Sequence, residues 1–485
     1  MVLKRFFVLS LVCVLFFTIG CASKDSGYHN YVPRDSGGNL ESYLELVEKG
    51  YIDTATNNKV NVSLDSSNAA YSNIRRLINN GRPVVKDAVN IEQMLNYFNY
   101  SYVNDTDKAL KIFTEVADCP WNDSNKLVQI GIKAKEFELD NEKPNNFVFL
   151  LDVSGSMGFD NKLPLMINAF KLLIDNLNDQ DRISIVTYAA GDKVVLDGGF
   201  GFEKTRISAI VSDLTASGST HGSKGIYKAY ELAEKYFVEG GNNRVFLGTD
   251  GDFNVGITSI EGLKRFISQK RETGVYLTVL GFGEGNLKAS TMDTLAQAGN
   301  GNYYYIDSIL EAQKVFVSEL GGTLMTVAKD TKAQVEFNPE VVEKYRVIGY
   351  ENKILTDEEF ENEETDAGEI GAGHTTVCLI EIVLKENQAE NPEIFKCTLR
   401  YKDPTTFISN EIVATCSEIT EIPSNDFIFA SGVAEFGLLL RDSEFKSNAS
   451  YNNIIERIDK PEILTDAYRQ EFLELVRKVR NGNQN

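Results

Sequence analysis

The chain has 485 residues, of which 42% are hydrophobic and 25% charged, and a formal net charge of −21. That length exceeds one ordinary core, so two to four domains are expected, and the mixed composition excludes global disorder. The acidity argues against nucleic acid as a partner, since like charge repels a phosphate backbone, and suits solubility or an affinity for cations and basic surfaces.

The first 20 residues read as a signal peptide. Lys4 and Arg5 precede an almost wholly apolar run from Phe6 to Ile19, too short for a comfortable membrane span. The run ends at Thr18-Ile19-Gly20-Cys21, which resembles a bacterial lipobox, with Thr18 where Leu is usual. That resemblance implies lipidation of Cys21 and an anchor of lipid, with the protein on the cell membrane or outer membrane, facing the periplasm or exterior. Loss of Lys4 and Arg5 with the signal makes the mature chain more acidic still. Residues 22–45, rich in Ser, Gly, Asp and Asn, read as a flexible tether.

A flanking domain is expected over 46–140, with helices over 71–78 and 91–98 and strands over 109–116 and 126–137. From 145 to 322 the pattern changes to apolar strands (147–152, 182–188, 244–250, 275–283, 302–307) alternating with amphipathic helices (163–177, 205–214, 225–237, 260–270, 289–298, 309–320). This predicts an α/β fold: a doubly wound, mostly parallel sheet covered on both faces, with ligands at the carboxyl ends of its strands. Residues 330–420 read as all-β, and 425–482 as helical, with helices over 427–441, 451–458 and 466–479. Two arrangements of the flanks are open. Either 109–137 and 330–420 share one β-sandwich with the α/β domain inserted into it, or they form separate domains. Pairing among Cys119, Cys378, Cys397 and Cys416 is also open; no C-x-x-C pair points to zinc.

The chemistry concentrates in three places. The strand FVFLL delivers Asp152 to the sheet edge as the first residue of D-x-S-x-S, followed by Ser154 and Ser156. A Gly-rich loop, SGSTHG, carries Thr220, and GTDG places Asp250 at the end of the strand RVFLG. Carboxylate and hydroxyl oxygens converging on one edge suit a hard divalent cation that keeps some of its water. The competing local reading is that the serines cap a helix and Asp250 opens a turn.

At these residues the chain resembles von Willebrand factor type A domains, whose metal-ion-dependent adhesion site has this three-part pattern. The resemblance implies that Asp152, Ser154, Ser156, Thr220 and Asp250 hold the metal, some directly and some through water. It also implies an open coordination position that takes an acidic residue of a protein partner. Magnesium is the expected ion, with manganese or calcium as alternatives. The segments SNIRRLINNGRPVVKDAVNIEQMLNYFNYSY and RVIGYENKILTDEEFENEETDAGEIGAGHTTVCLIEI resemble the regions that bracket this domain in a family of bacterial lipoproteins, the YfbK-like proteins.

An enzyme is not expected. The three histidines are His29, in the tether, His221, beside Thr220, and His374, at a turn. No G-x-S-x-G elbow surrounds either serine and no G-x-x-x-x-G-K-[ST] loop exists. Ser154 stands where an aspartyl phosphotransferase would place a second Asp, and Asp252 and Asn254 read as loop-shaping residues. The alternatives are a hydrolase using Ser154 and Ser156, and a purely structural envelope protein.

Overall fold

A computed structural model of the chain describes residues 41–136, 143–189, 191–218, 223–251, 259–386 and 392–482. The signal segment, Cys21 and His29 lie outside them.

The strand Asn146–Asp152 is buried along its whole length because it is covered on both faces. Its side chains alternate, as the strand period requires. Phe147, Phe149 and Leu151 join one core with Phe170 and Leu173 of the helix Leu163–Asp175. Val148 and Leu150 join the other with Ile226, Ala229 and Tyr230 of the helix Ser223–Lys235. The six-stranded sheet runs Tyr303–Ile306, Val275–Phe282, Asn243–Thr249, Asn146–Asp152, Arg182–Tyr188, Lys193–Phe200. All neighbours are parallel except the last pair. From Asn146–Asp152 the chain crosses first to Arg182–Tyr188 on one side and later to Asn243–Thr249 on the other. The crevice at such a reversal, outside the carboxyl ends, is where open α/β sheets bind ligands.

Strands from before and after this α/β region pair with one another. One sheet joins Leu110–Asp118 and Lys126–Ala134 to Thr375–Leu384 and Val342–Ile348, with Ile52–Asp53 at its edge. The other joins Lys59–Ser63 to Thr326–Phe337, Phe395–Lys402 and Ser409–Cys416, with Ile354–Leu355 at its edge. The two sheets share one apolar core that includes Val62, Ile130, Val335, Ile380 and Leu399. The flanking strands therefore form one two-sheet sandwich around that core. The helices Asn425–Arg441, Tyr451–Ile458 and Ala467–Gly482 pack with Ala69–Asn79 and Ile91–Asn96 around Trp121, Phe98, Phe429 and Phe472.

Several elements differ from the sequence expectation. Lys193–Phe200 is an edge strand that the sequence hides, because Asp197, Gly198 and Gly199 break its apolar alternation. Lys59–Ser63 is likewise a strand, short and with Asn61 at its centre. The helix expected over 309–320 divides into Ile309–Gln313, a wider π turn over Lys314–Ser318, and Leu320–Leu324. Residues 41–45 are not free tether. Ser42 N–H donates to Leu287 O at 2.9 Å and Glu41 pairs with Arg76 at 2.9 Å. Cys119, Cys378, Cys397 and Cys416 are buried free thiols, and burial pushes the Cys397 thiol up to about 12.

Candidate metal centre

Asp152 is the last residue of its strand, and Leu151 lies in register with Gly248 of the neighbouring parallel strand. Asp250 follows Thr249, the last residue of that neighbour, so the two carboxylates emerge side by side at the switch point. Both are almost wholly buried, at 0% and 1% exposure. Two acidic groups brought together out of water need compensation.

Part of it is local. Asp152 Oδ1 accepts from the Ser154 backbone N–H at 2.9 Å, which folds D-x-S back over the strand end. Asp152 Oδ2 is buried and accepts no hydrogen bond of normal geometry among the described residues. Burial pushes the Asp152 carboxyl up to about 6; hydrogen bonding from Ser154 opposes this, the Asp250 charge adds to it, and the Tyr188 hydroxyl opposes it weakly. Asp250 Oδ2 accepts from the Lys162 ammonium at 2.7 Å.

The serines do not cap helices. Ser154 precedes the short 3-10 turn Gly155–Met157 without a side-chain cap bond, and the helix Leu163–Asp175 is entered from Lys162, also without one. Instead Ser154 Oγ and Ser156 Oγ lie 3.1 Å apart. Two hydroxyls that face each other beside an under-bonded carboxylate oxygen form a donor set for a hard cation. The helix-capping reading of Ser154 and Ser156 therefore fails.

The third part of the pattern is held against the first. Gly155 N–H donates to Gly218 O at 2.9 Å, and Ser217 N–H donates to Val153 O at 2.8 Å. A Cβ on Gly155 would meet that Gly218 carbonyl at 3.2 Å, so the small residue permits the contact. Thr220 and His221 follow two and three residues later and lie outside the described residues, as do Asp252 and Asn254. Gly251 closes the T-D-G turn at φ 98°, and a Cβ there would come within 2.6 Å of the Asn286 carbonyl oxygen.

Among the described residues no group of three or more His, Cys, Asp or Glu side chains is placed to hold a metal. A hydroxyl-rich set falls outside that kind of cluster, and the orphaned Asp152 oxygen beside the paired serines fits a cation. Neither serine is hydrogen-bonded to a histidine among the described residues. His374 is buried at a turn against Gly322, and burial lowers its pKa. Sequence reasoning missed Lys162 and Tyr188. Both had a readable position: Lys162 enters the helix after the D-x-S-x-S turn, and Tyr188 ends the strand beside Asp152.

Comparison with known proteins identifies the regions of the chain. Residues 146–317 match the von Willebrand factor type A domain, 38–129 a model described as von Willebrand factor, and 322–481 the C-terminal region of the uncharacterized protein YfbK. The chain is 37% identical over 464 residues to uncharacterized protein YfbK of Escherichia coli K12, covering 90% of this chain and 80% of that one. It is 24% identical over 332 residues to uncharacterized protein sll0103 of Synechocystis, covering 66% of this chain and 77% of that one. Among solved structures it is similar to a von Willebrand factor type A protein from Catenulispora acidiphila, at TM-score 0.43 and 17% identity, covering 78% of this chain and 92% of that one. The chain belongs to the YfbK-like family of proteins, built around a von Willebrand factor type A domain.

Proposed function

We propose that this chain is a lipid-anchored envelope protein whose α/β domain binds a divalent cation and, through it, a carboxylate of a protein partner. Asp152, Ser154, Ser156, Thr220 and Asp250 are the proposed ligands, some through water. The observation that carries the reading is the buried, unbonded Asp152 Oδ2 next to a facing pair of serine hydroxyls at the switch point of a parallel sheet. A buried carboxylate with one oxygen left without a hydrogen bond of normal geometry is costly, and a cation removes the cost.

When bound, the metal supplies an electrophilic centre to which an outside carboxylate can add. The chain's own residues do the rest. Asp152 supplies fixed charge, held by the Ser154 N–H. Ser154 and Ser156 supply neutral oxygens, so little charge is donated to the ion. Magnesium suits this compact set best, with manganese and calcium as alternatives.

The reading is of a binding module: Ser154 Oγ and Ser156 Oγ, 3.1 Å apart, stand with the Asp152 carboxylate as oxygen ligands for a hard cation. The anchor rests on the lipobox-like Thr18-Ile19-Gly20-Cys21, with the folded part facing the periplasm or exterior. Among the described residues no helix is long and apolar enough to cross a membrane. The test is capture of envelope proteins on the immobilised chain with magnesium, with chelator, and with magnesium restored. Binding that disappears and returns supports the proposal; binding indifferent to chelator contradicts it.

A further inference from the structure

Lys162 is a charged side chain that the metal reading does not use. Its side chain is 5% exposed, and its ammonium donates to Asp250 Oδ2 at 2.7 Å. The stem is fixed as well. Gly283 sits at φ 73° against the Lys162 methylenes, where a Cβ would collide with them. The Phe159 ring lies 5.7 Å from the ammonium, and the Lys162 N–H donates to Phe159 O at 2.9 Å. A lysine buried, packed and aimed in this way is part of the site and not a surface charge that has folded in.

We propose that Lys162 is a resident counter-cation that weakens metal binding and keeps the bound ion short of negative charge; this rests on the metal reading above. Without metal, the ammonium neutralises Asp250, so that the site does not carry two uncompensated carboxylates. With metal, the ion and the ammonium face two carboxylates between them, and one positive charge is left over. That excess is what an incoming carboxylate would neutralise. Removing Lys162 leaves two carboxylates for one divalent ion, a tighter but self-satisfied site. The cost of a low metal affinity is thus exchanged for partner binding.

The test is calorimetric titration of manganese and magnesium into the full-length chain and into Lys162→Met, with thermal melts in chelator. Lys162→Gln, which keeps a donor near Asp250 without the charge, gives the same comparison should the Met variant fail to fold. Binding by the unsubstituted chain tests the metal reading; the ratio between chains tests Lys162. We expect the variants to bind metal at least tenfold more tightly, about 1.4 kcal/mol. They should also melt lower in chelator and recover when metal is added. A purely structural lysine would lower the melting point without tightening the metal. Equal or weaker metal binding by a folded variant overturns the role of Lys162, and absence of binding by the unsubstituted chain overturns the metal reading beneath it.

Discussion

Arg75 and Glu311 form an ion pair at 2.7 Å with side chains 4% and 2% exposed, joining a helix that precedes the α/β sheet to one that follows it. Arg75 also bonds Asp307, Nε to Oδ2 at 2.8 Å, and the Tyr97 hydroxyl donates to Glu311 at 2.7 Å. The pair fastens the flanking helix Ala69–Asn79 to the edge of the sheet that carries the candidate metal centre.

Removing Arg75 alone should be costly, because it leaves the buried carboxylates of Asp307 and Glu311 without their paired guanidinium. Arg75→Met should lower stability by about 3 to 5 kcal/mol, read by urea unfolding. Adding Asp307→Asn and Glu311→Gln should recover much of the loss. Equal stability of the single and triple variants would show that the charges are compensated elsewhere.

The second prediction concerns pH. Burial pushes the Asp293 carboxyl up from its ordinary value near 3.8 to about 6; Lys353 opposes this, Asp65 adds to it, and Gln297 opposes it. The folded state therefore holds this proton more tightly than the unfolded one. The resulting penalty is absent at low pH, grows as pH rises from about 4 to 6, and is complete above that, at about 3 kcal/mol. Asp293→Asn should stabilise the protein by up to that amount at about pH 7.5 and by almost nothing at about pH 4. A gain independent of pH would show that the carboxyl is not protonated on folding.

The third concerns the turn that presents Asp250. Gly251→Ala places a Cβ at φ 98° against backbone atoms of Asn286 and Lys288, which cannot step aside as a side chain could. The expected cost is about 1 to 3 kcal/mol of stability, with metal affinity at least tenfold weaker because Asp250 is displaced. Unchanged affinity in the folded variant would separate Asp250 from the metal.

Much of this was legible in the sequence, for physical reasons. A strand buried on both faces must be continuously apolar, so FVFLLD and RVFLG announced themselves, and with them the positions of Asp152 and Asp250. The serines' freedom from capping was not legible, because a 3-10 turn and a capped helix start alike. The edge strand Lys193–Phe200 was hidden, since an edge position tolerates Gly198 and Gly199 that a central strand would not. The Lys162–Asp250 pair was hidden because it joins residues 88 apart whose contact depends on the sheet crossover.

The fourth prediction concerns the anchor. Cys21→Ser removes the sulfur that would accept lipid, so the variant should leave the membrane fraction on cell lysis. A variant of mature size that stays with the membrane would contradict the lipid anchor. A variant of unprocessed size that stays there would place the attachment in the uncleaved signal.

The central claim is that Asp152 holds a metal that bridges to a partner, and the most direct measurement is calorimetric titration of magnesium and manganese into the unsubstituted chain, Asp152→Ala and Thr220→Ala. Asp152 supplies the buried charge and Thr220 a neutral oxygen, so the first substitution should abolish binding and the second weaken it, with circular dichroism unchanged in both. Metal binding by Asp152→Ala at the affinity of the unsubstituted chain would contradict the account.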